Sequence, residues 1–265
     1  MKIAVVGCGM MGGALARHFA KSHSVVLCDR GMKKSQSLAR EIGADAVERI
    51  NDAVSDADII LLAVKPKNLA DVAKATTASL SKKQILLSVL AGTPLAVLRK
   101  HFPEVSLVRM MPNLALMCGQ GVIGLVEDPY LTPENKKLAQ SILEGLGLLH
   151  WLAEEKVEAL TALSASSPAL VYVVLESMIE SGISMGFTYS ESEEFVLKTV
   201  EGAIALLRHS KKHPAELKIQ IASPGGTTIA ALKEIESTGV RAGIWSSVLA
   251  AYHRGLHMTD EFDGK

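Results

Sequence analysis

Residues 7–12 read Gly7-Cys8-Gly9-Met10-Met11-Gly12, between an apolar run at 2–6 and a helical pattern that opens near Ala14. A strand passing into a helix through three glycines at this spacing commits the chain to an α/β beginning. Gly7 permits the tight turn, Gly9 lets the backbone approach a pyrophosphate, and Gly12 lets helix and strand pack closely. Met10 and Met11 fall at the helix start, where unpaired N–H groups are offered to an anion. Asp29 closes the next apolar run, 24–28, the position of a carboxylate that binds an adenosine ribose. Together these features predict a dinucleotide site.

To about residue 152, short apolar runs alternate with helical patterns, which predicts a doubly wound, parallel sheet. Strands are expected at 2–6, 24–28, 45–48, 58–64, 84–89 and 105–110, with a further pair at 121–126 and 148–152. The unbroken apolarity of 59–64 and 85–89 suits strands covered on both faces. Helices are expected at 69–80 and at 94–101, the latter with Thr93 as cap and Pro94 in the first turn. Thr132-Pro133-Glu134 repeats that start signal.

The ends of these strands carry the candidate cofactor contacts, because ligands of open α/β sheets sit beyond the carboxyl ends of the strands. Ala63-Val64-Lys65-Pro66 follows the fourth strand, Ala91 and Gly92 follow the fifth, and Asn113 follows Pro112 at the end of the sixth. Asn113 is expected near the nicotinamide. Asp29 favours a free 2′-hydroxyl, whereas Arg30, Lys33 and Lys34 directly after it favour a 2′-phosphate.

From residue 153 the strand pattern stops and helical stretches follow at 154–164, 168–185, 190–209, 227–237 and 240–257. The domains are therefore placed at 1–153 and 154–265. Leu170-Val171-Tyr172-Val173-Val174-Leu175 is apolar on more than one helical face, which calls for a second subunit to cover it. Within this half, Ser223-Pro224-Gly225-Gly226-Thr227-Thr228 places two glycines and three hydroxyls at a helix start. Such a turn is a second anion cradle, suited to a carboxylate.

Lys plus Arg equals Asp plus Glu at 28 each, so no net field draws the chain to nucleic acid or to an anionic membrane. The longest unbroken apolar runs, 59–64 and 169–175, are too short to span a bilayer. A strand starting at Lys2 leaves no room for a signal peptide, and a cytoplasmic location is expected. Cys8, Cys28 and Cys118 are odd in number and widely spaced, which suits reduced, buried thiols. The pairs His209/His213 and His253/His257 have no third ligand or neighbouring glutamate, so no metal site is expected. Gly182-Ile183-Ser184-Met185-Gly186 fits the spacing of a nucleophile elbow but follows a helical pattern, and is read as a helix end.

These motifs together resemble the pyrroline-5-carboxylate reductase family over nearly the whole chain. The resemblance rests on 7–12, 63–66, 109–113, 163–169 and, most specifically, on 223–228 followed by Gly239-Val240-Arg241-Ala242. It implies a Rossmann-type nicotinamide domain followed by an all-helical dimerisation domain, forming a homodimer or an assembly of dimers. It also implies reduction of 1-pyrroline-5-carboxylate to L-proline, with NADPH modestly preferred and NADH also used. By the same resemblance Ser223, Gly225, Gly226 and Thr227 hold the substrate carboxylate, mainly through main-chain N–H groups, and Thr228 meets the ring nitrogen. The chain departs from the family at Ala165-Ser166-Ser167-Pro168-Ala169, where Gly-Ser-Gly-Pro-Ala is usual. It departs again at Ile219 and Ala222, where an acid and a threonine are common.

Two other readings compete. A β-hydroxyacid-dehydrogenase-like enzyme carries a catalytic lysine on its long interdomain helix, and 168–186 contains none. A catalytically silent nucleotide-binding sensor is the alternative from a different class.

Overall fold

The computed structural model describes residues 1–76 and 79–263. The elements run β1 (Lys2–Val6), α1 (Met10–Phe19), β2 (Ser24–Cys28), α2 (Met32–Ile42), β3 (Asp45–Val47), α3 (Ile50–Val54), β4 (Ile59–Leu62), α4 (Leu69–Thr76), β5 (Ile85–Ser88), α5 (Leu95–His101), β6 (Ser106–Pro112), β7 (Gly121–Val126), α6 (Pro133–Ile142) and β8 (Gly147–Leu152). Helices follow: α7 (Val157–Leu160), a π-helical turn (Thr161–Ser166), α8 (Ser167–Ser184), α9 (Tyr189–Ser210), α10 (Pro214–Gln220), α11 (Thr227–Ser237) and α12 (Val240–Asp263). Residues 77 and 78 of the helix expected at 69–80 lie outside the described residues.

The fold is a mostly parallel N-terminal α/β sheet followed by a helical domain. The strand order is β3-β2-β1-β4-β5-β6-β7-β8. Every described pairing is parallel except β6 with β7, where Met110 faces Leu125 and Pro112 faces Ile123. The short link 113–120 explains the exception, since a parallel crossover needs a dozen residues or more. Central strands β4 and β5 are buried at every position, as two-sided cover requires. Apolar clusters fill both faces, one around Leu15, Phe19 and Ile123, the other around Leu62, Leu98 and Phe102.

Two compact units divide the chain: Met1–Ala165 with Tyr252–Lys265, and Ser166–Ala251. The domain boundary expected at 153/154 falls just after β8, twelve residues before the end of the first segment of the sheet-bearing unit. Within α8 only Gly182 is buried, and within α9 only Ser192 and Val196, while Val171 is 50% and Tyr172 67% exposed and no residue of α11 is buried.

Three sequence expectations are corrected. The stretch Glu154–Ser184 is one continuous helical run of 31 residues, long and apolar enough by length and composition to cross a membrane. Counting unbroken apolar runs missed it, because Ser166, Ser167, Glu176 and Glu180 interrupt the runs without interrupting the helix. Pro94, not Thr93, is the cap position of α5; the Thr93 hydroxyl donates to the Ala91 carbonyl at 3.3 Å. Cys118 is exposed rather than buried. Helix α10 was not expected from sequence: it starts at Pro214 and is capped by His213, whose Nδ1 accepts from the Ala215 N–H at 3.2 Å. Among the described residues no three His, Cys, Asp or Glu side chains are grouped as metal ligands require.

Candidate functional site

The β1–α1 turn brings main chain where side chains would block it. Gly7 holds φ +102°, a conformation L side chains rarely adopt, and its N–H donates to the Cys28 carbonyl at 2.8 Å. A Cβ on Gly7 would meet the Ala63 carbonyl oxygen at 2.5 Å, and one on Gly12 would overlap the Gly7 carbonyl oxygen. Gly9 is the cap of α1, with no side-chain cap and no acid in the first turn. The leading N–H groups of the helix, at Met10 and Met11, are thus left for an anion.

In front of this turn lies a cavity of about 460 Å³. Of the expected cofactor contacts, Gly7, Gly9, Asp29, Arg30, Ala63, Val64 and Lys65 line it. Gly12 supports the turn from beneath, Met10 is exposed beside it, and Pro66 opens the short 3₁₀ turn Pro66–Asn68 behind Lys65. Ala91 and Gly92 follow β5 and do not line the cavity, nor do Met11 and Asn113. Lys34, Glu48, Asn68 and Asp71 also line it. Of these, Asn68 and Asp71 stand in no motif, and only the topology brings them in.

Asp29 has a structural task beside the ribose contact expected of it. Its Oδ2 accepts from the Cys8 N–H at 2.7 Å and its Oδ1 from the Gly31 N–H at 2.8 Å, so the carboxylate ties the glycine turn to the β2–α2 loop. Each oxygen accepts one main-chain hydrogen bond, and Arg30 and Lys34 stand near it in the cavity lining. Burial, helped by the charge of Asp29, pushes the Cys8 thiol up to about 12. The thiol in the middle of the turn is therefore neutral and inert.

Asn113 is buried, and both ends of its amide are occupied. Nδ2 donates to the Ser164 carbonyl in the π-helical turn at 2.7 Å, while Oδ1 accepts from the Val122 N–H at 3.0 Å. Its role in the unit is to brace the exit of β6 against that turn. Helical π turns widen the backbone locally and free carbonyls for such contacts.

The second cradle belongs to the helical unit and stands by itself. Gly225 takes φ +70° and the Gly226 N–H donates to the Ser223 carbonyl at 3.1 Å, closing the turn. The N–H that the resemblance assigns to substrate at Gly226 is thus already engaged. Gly226 caps α11 without a side-chain bond, no acid stands in the first turn, and Thr227 and Thr228 present the leading N–H groups. Thr228 is half-buried, Thr227 exposed. A main-chain anion site with a sheltered hydroxyl beside it is what this geometry offers. Ser184, by contrast, donates back to the Glu180 carbonyl at 3.0 Å at the end of α8, and the nucleophile-elbow spacing there is a helix end.

Comparison with known proteins gives the following. The family model for pyrroline-5-carboxylate reductase dimerisation matches residues 154–258, and that for coenzyme F420-dependent NADP oxidoreductase matches residues 2–92. A pyrroline-5-carboxylate reductase of Pseudomonas aeruginosa is 30% identical over 98% of this chain and 97% of its own. One from Glycine max is 31% identical over 96% of this chain and 94% of its own. Among solved structures, the Plasmodium falciparum pyrroline carboxylate reductase with NADP bound superposes with a TM-score of 0.88 at 25% identity, covering 98% of both chains.

Proposed function

The chain belongs to the pyrroline-5-carboxylate reductase family, and from that premise we propose how its residues divide the work. The activity is reduction of 1-pyrroline-5-carboxylate to L-proline by a reduced nicotinamide nucleotide, the last step of proline biosynthesis. The observation that carries the site assignment is the second cradle, a helix start without acid or capping side chain beside a half-buried threonine. The Thr227 and Thr228 N–H groups hold the substrate carboxylate, with Ser223 and Gly225 shaping the turn. The Thr228 hydroxyl orients the imine nitrogen. That nitrogen is basic enough to take its proton from solvent, so positioning rather than a strong acid is what the residues supply.

The cofactor is NADPH, and NADH also serves. When bound it supplies the hydride. The β1–α1 turn, which a Cβ at Gly7 or Gly12 would fill, receives the pyrophosphate at the start of α1. Lys65 closes one wall, and Arg30 and Lys34 receive the 2′-phosphate. Arg30→Ala should lower kcat/KM with NADPH by about 10- to 100-fold, the worth of one lost charge-assisted hydrogen bond, and leave NADH nearly unchanged. An equal loss with both cofactors would contradict the assignment of Arg30 to the phosphate.

The matched dimerisation region makes the protein a homo-oligomer. Our reading is a dimer or a multiple of dimers, located in the cytoplasm, with a small-molecule substrate and neither nucleic acid nor membrane as partner. The apolar face of α8 and the exposed Trp245, at 70%, are what the partner subunit covers. Sedimentation at micromolar concentration should show dimers or their multiples, and a stable, active monomer would refute this.

A further inference from the structure

Arg109 is the largest fully buried side chain among the described residues, 2% exposed, between the apolar Val108 and Met110 on β6. Its Nη1 donates to Glu154 Oε1 at 2.7 Å and its Nη2 to Glu158 Oε1 at 3.2 Å. Its Nε has no hydrogen-bond partner, so the guanidinium's two described bonds both go to these carboxylates. Removing a full charge from water is costly unless it is paired well, and here one cation holds two anions. Each carboxylate then makes a second contact, and the two contacts lead in different directions. Glu154 Oε1 also accepts the Leu95 N–H at 2.7 Å, capping α5 from 59 residues away, directly behind Ala91-Gly92-Thr93-Pro94. Glu158 Oε1 also accepts from the Thr259 hydroxyl at 3.2 Å, and a Cβ on Gly255 would meet Glu158 Oε2 at 2.7 Å. The end of α12 is therefore shaped to sit on this carboxylate. A Cβ on Gly92 would in turn meet Met258 at 3.4 Å, so the loop and the helix end also touch each other.

We propose that Arg109 is a positioning residue for the reduction: through Glu154 it fixes the loop between β5 and α5 in its cofactor-binding place, and through Glu158 it fastens the end of α12. The proposal rests on the expectation from sequence that Ala91 and Gly92, at the carboxyl end of β5 and outside the lining of the cavity at the β1–α1 turn, contact the cofactor. The two arms have different consequences. The Glu158 arm serves stability, whereas the Glu154 arm serves cofactor affinity, because an uncapped α5 leaves the preceding loop without its fixed end. Arg109→Met leaves the buried Glu158 and the part-buried Glu154 without their cation and destabilises the protein. Arg109→Met combined with Glu158→Met replaces the buried pair by apolar side chains, an exchange that is often neutral for stability.

The test is the Michaelis constant for NADPH, read beside the melting midpoint and kcat. Glu154→Ala should raise KM for NADPH about tenfold, the scale of one charge-assisted hydrogen bond, with a smaller change in kcat. The double variant should recover its melting midpoint while its KM stays raised, a split that a purely structural cluster would not give. Arg109→Lys, which restores the charge without the fork, should fall between the double variant and the wild type. Ala91→Asp tests the loop itself and should raise KM whatever the latch does. Wild-type KM in both Glu154→Ala and the double variant, with Ala91→Asp impaired, would overturn the latch. A silent Ala91→Asp would overturn the loop assignment and the proposal with it. Should the double variant not fold, Glu154→Ala decides.

Discussion

Gly12→Ala should cost the protein its grip on NADPH by a factor on the order of 100 or more. The new Cβ has no room, because the Gly7 carbonyl oxygen already occupies its place and the Ala63 side chain stands on the other flank. Gly7 directly follows β1 and Ala63 directly follows β4, and the clash is with a main-chain oxygen and a Cβ, so neither yields as the end of a flexible side chain would. Overpacking a core by one methyl group costs about 1–3 kcal/mol even where side chains can move. A clash with backbone belongs at or above the top of that range, and 3 kcal/mol is roughly 150-fold in affinity. The strain must be relieved by moving α1 away from β1, which carries the Met10 and Met11 N–H groups out of reach of the pyrophosphate. Fluorescence titration with NADPH measures the loss, and thermal unfolding separates it from failure to fold. A Gly12→Ala protein that folds and binds NADPH as tightly as the wild type would remove the pyrophosphate from this turn. Gly9→Ala probes the same turn by the other route: no protein atom lies within 4 Å of a Cβ at Gly9, so the fold should be unaffected, and a loss of NADPH affinity there reports the pyrophosphate's close approach to the main chain.

Thr228→Val should lower kcat by roughly tenfold to 10²-fold: one positioned hydrogen-bonding group is usually worth about 10²-fold, and the proton that the imine takes from solvent softens the loss. Valine keeps the shape of threonine and removes only the hydroxyl. The Thr227 and Thr228 N–H groups and the turn closed by Gly226 are main-chain features, so folding and carboxylate binding should survive. Thr227→Val should do less, because its side chain is exposed and its part is played by its N–H. Steady-state kinetics on both variants decides between them: a fully active Thr228→Val, or a greater loss in Thr227→Val, would reverse the roles.

The parts of the fold that were legible in the sequence are those governed by local rules. Continuous apolarity located the central strands, and the three glycines located the first turn, because both are properties of neighbouring residues. The cradle at 223–228 was visible for the same reason. What escaped depends on residues far apart in the chain. No pattern near Thr93 announces that Glu154 caps the helix after it, nor does the sequence around Asp29 show that two main-chain N–H groups will occupy its oxygens. Asn113 was rightly placed at the end of β6, yet only the fold shows its amide spent on Ser164 and Val122. The antiparallel pairing of β7 turned on the length of one connection, which the strand pattern alone does not weigh. Arg109 looked like one member of a motif, whereas its weight comes from two carboxylates more than forty residues later.

The most direct measurement is the rate at which reduced cofactor is consumed when pyrroline-5-carboxylate is added to the purified protein, NADPH and NADH side by side, with the product identified. Rapid oxidation of both cofactors, higher kcat/KM for NADPH and stoichiometric formation of proline are the predicted result. No turnover at saturating substrate, from a protein that still binds NADPH, would contradict the account.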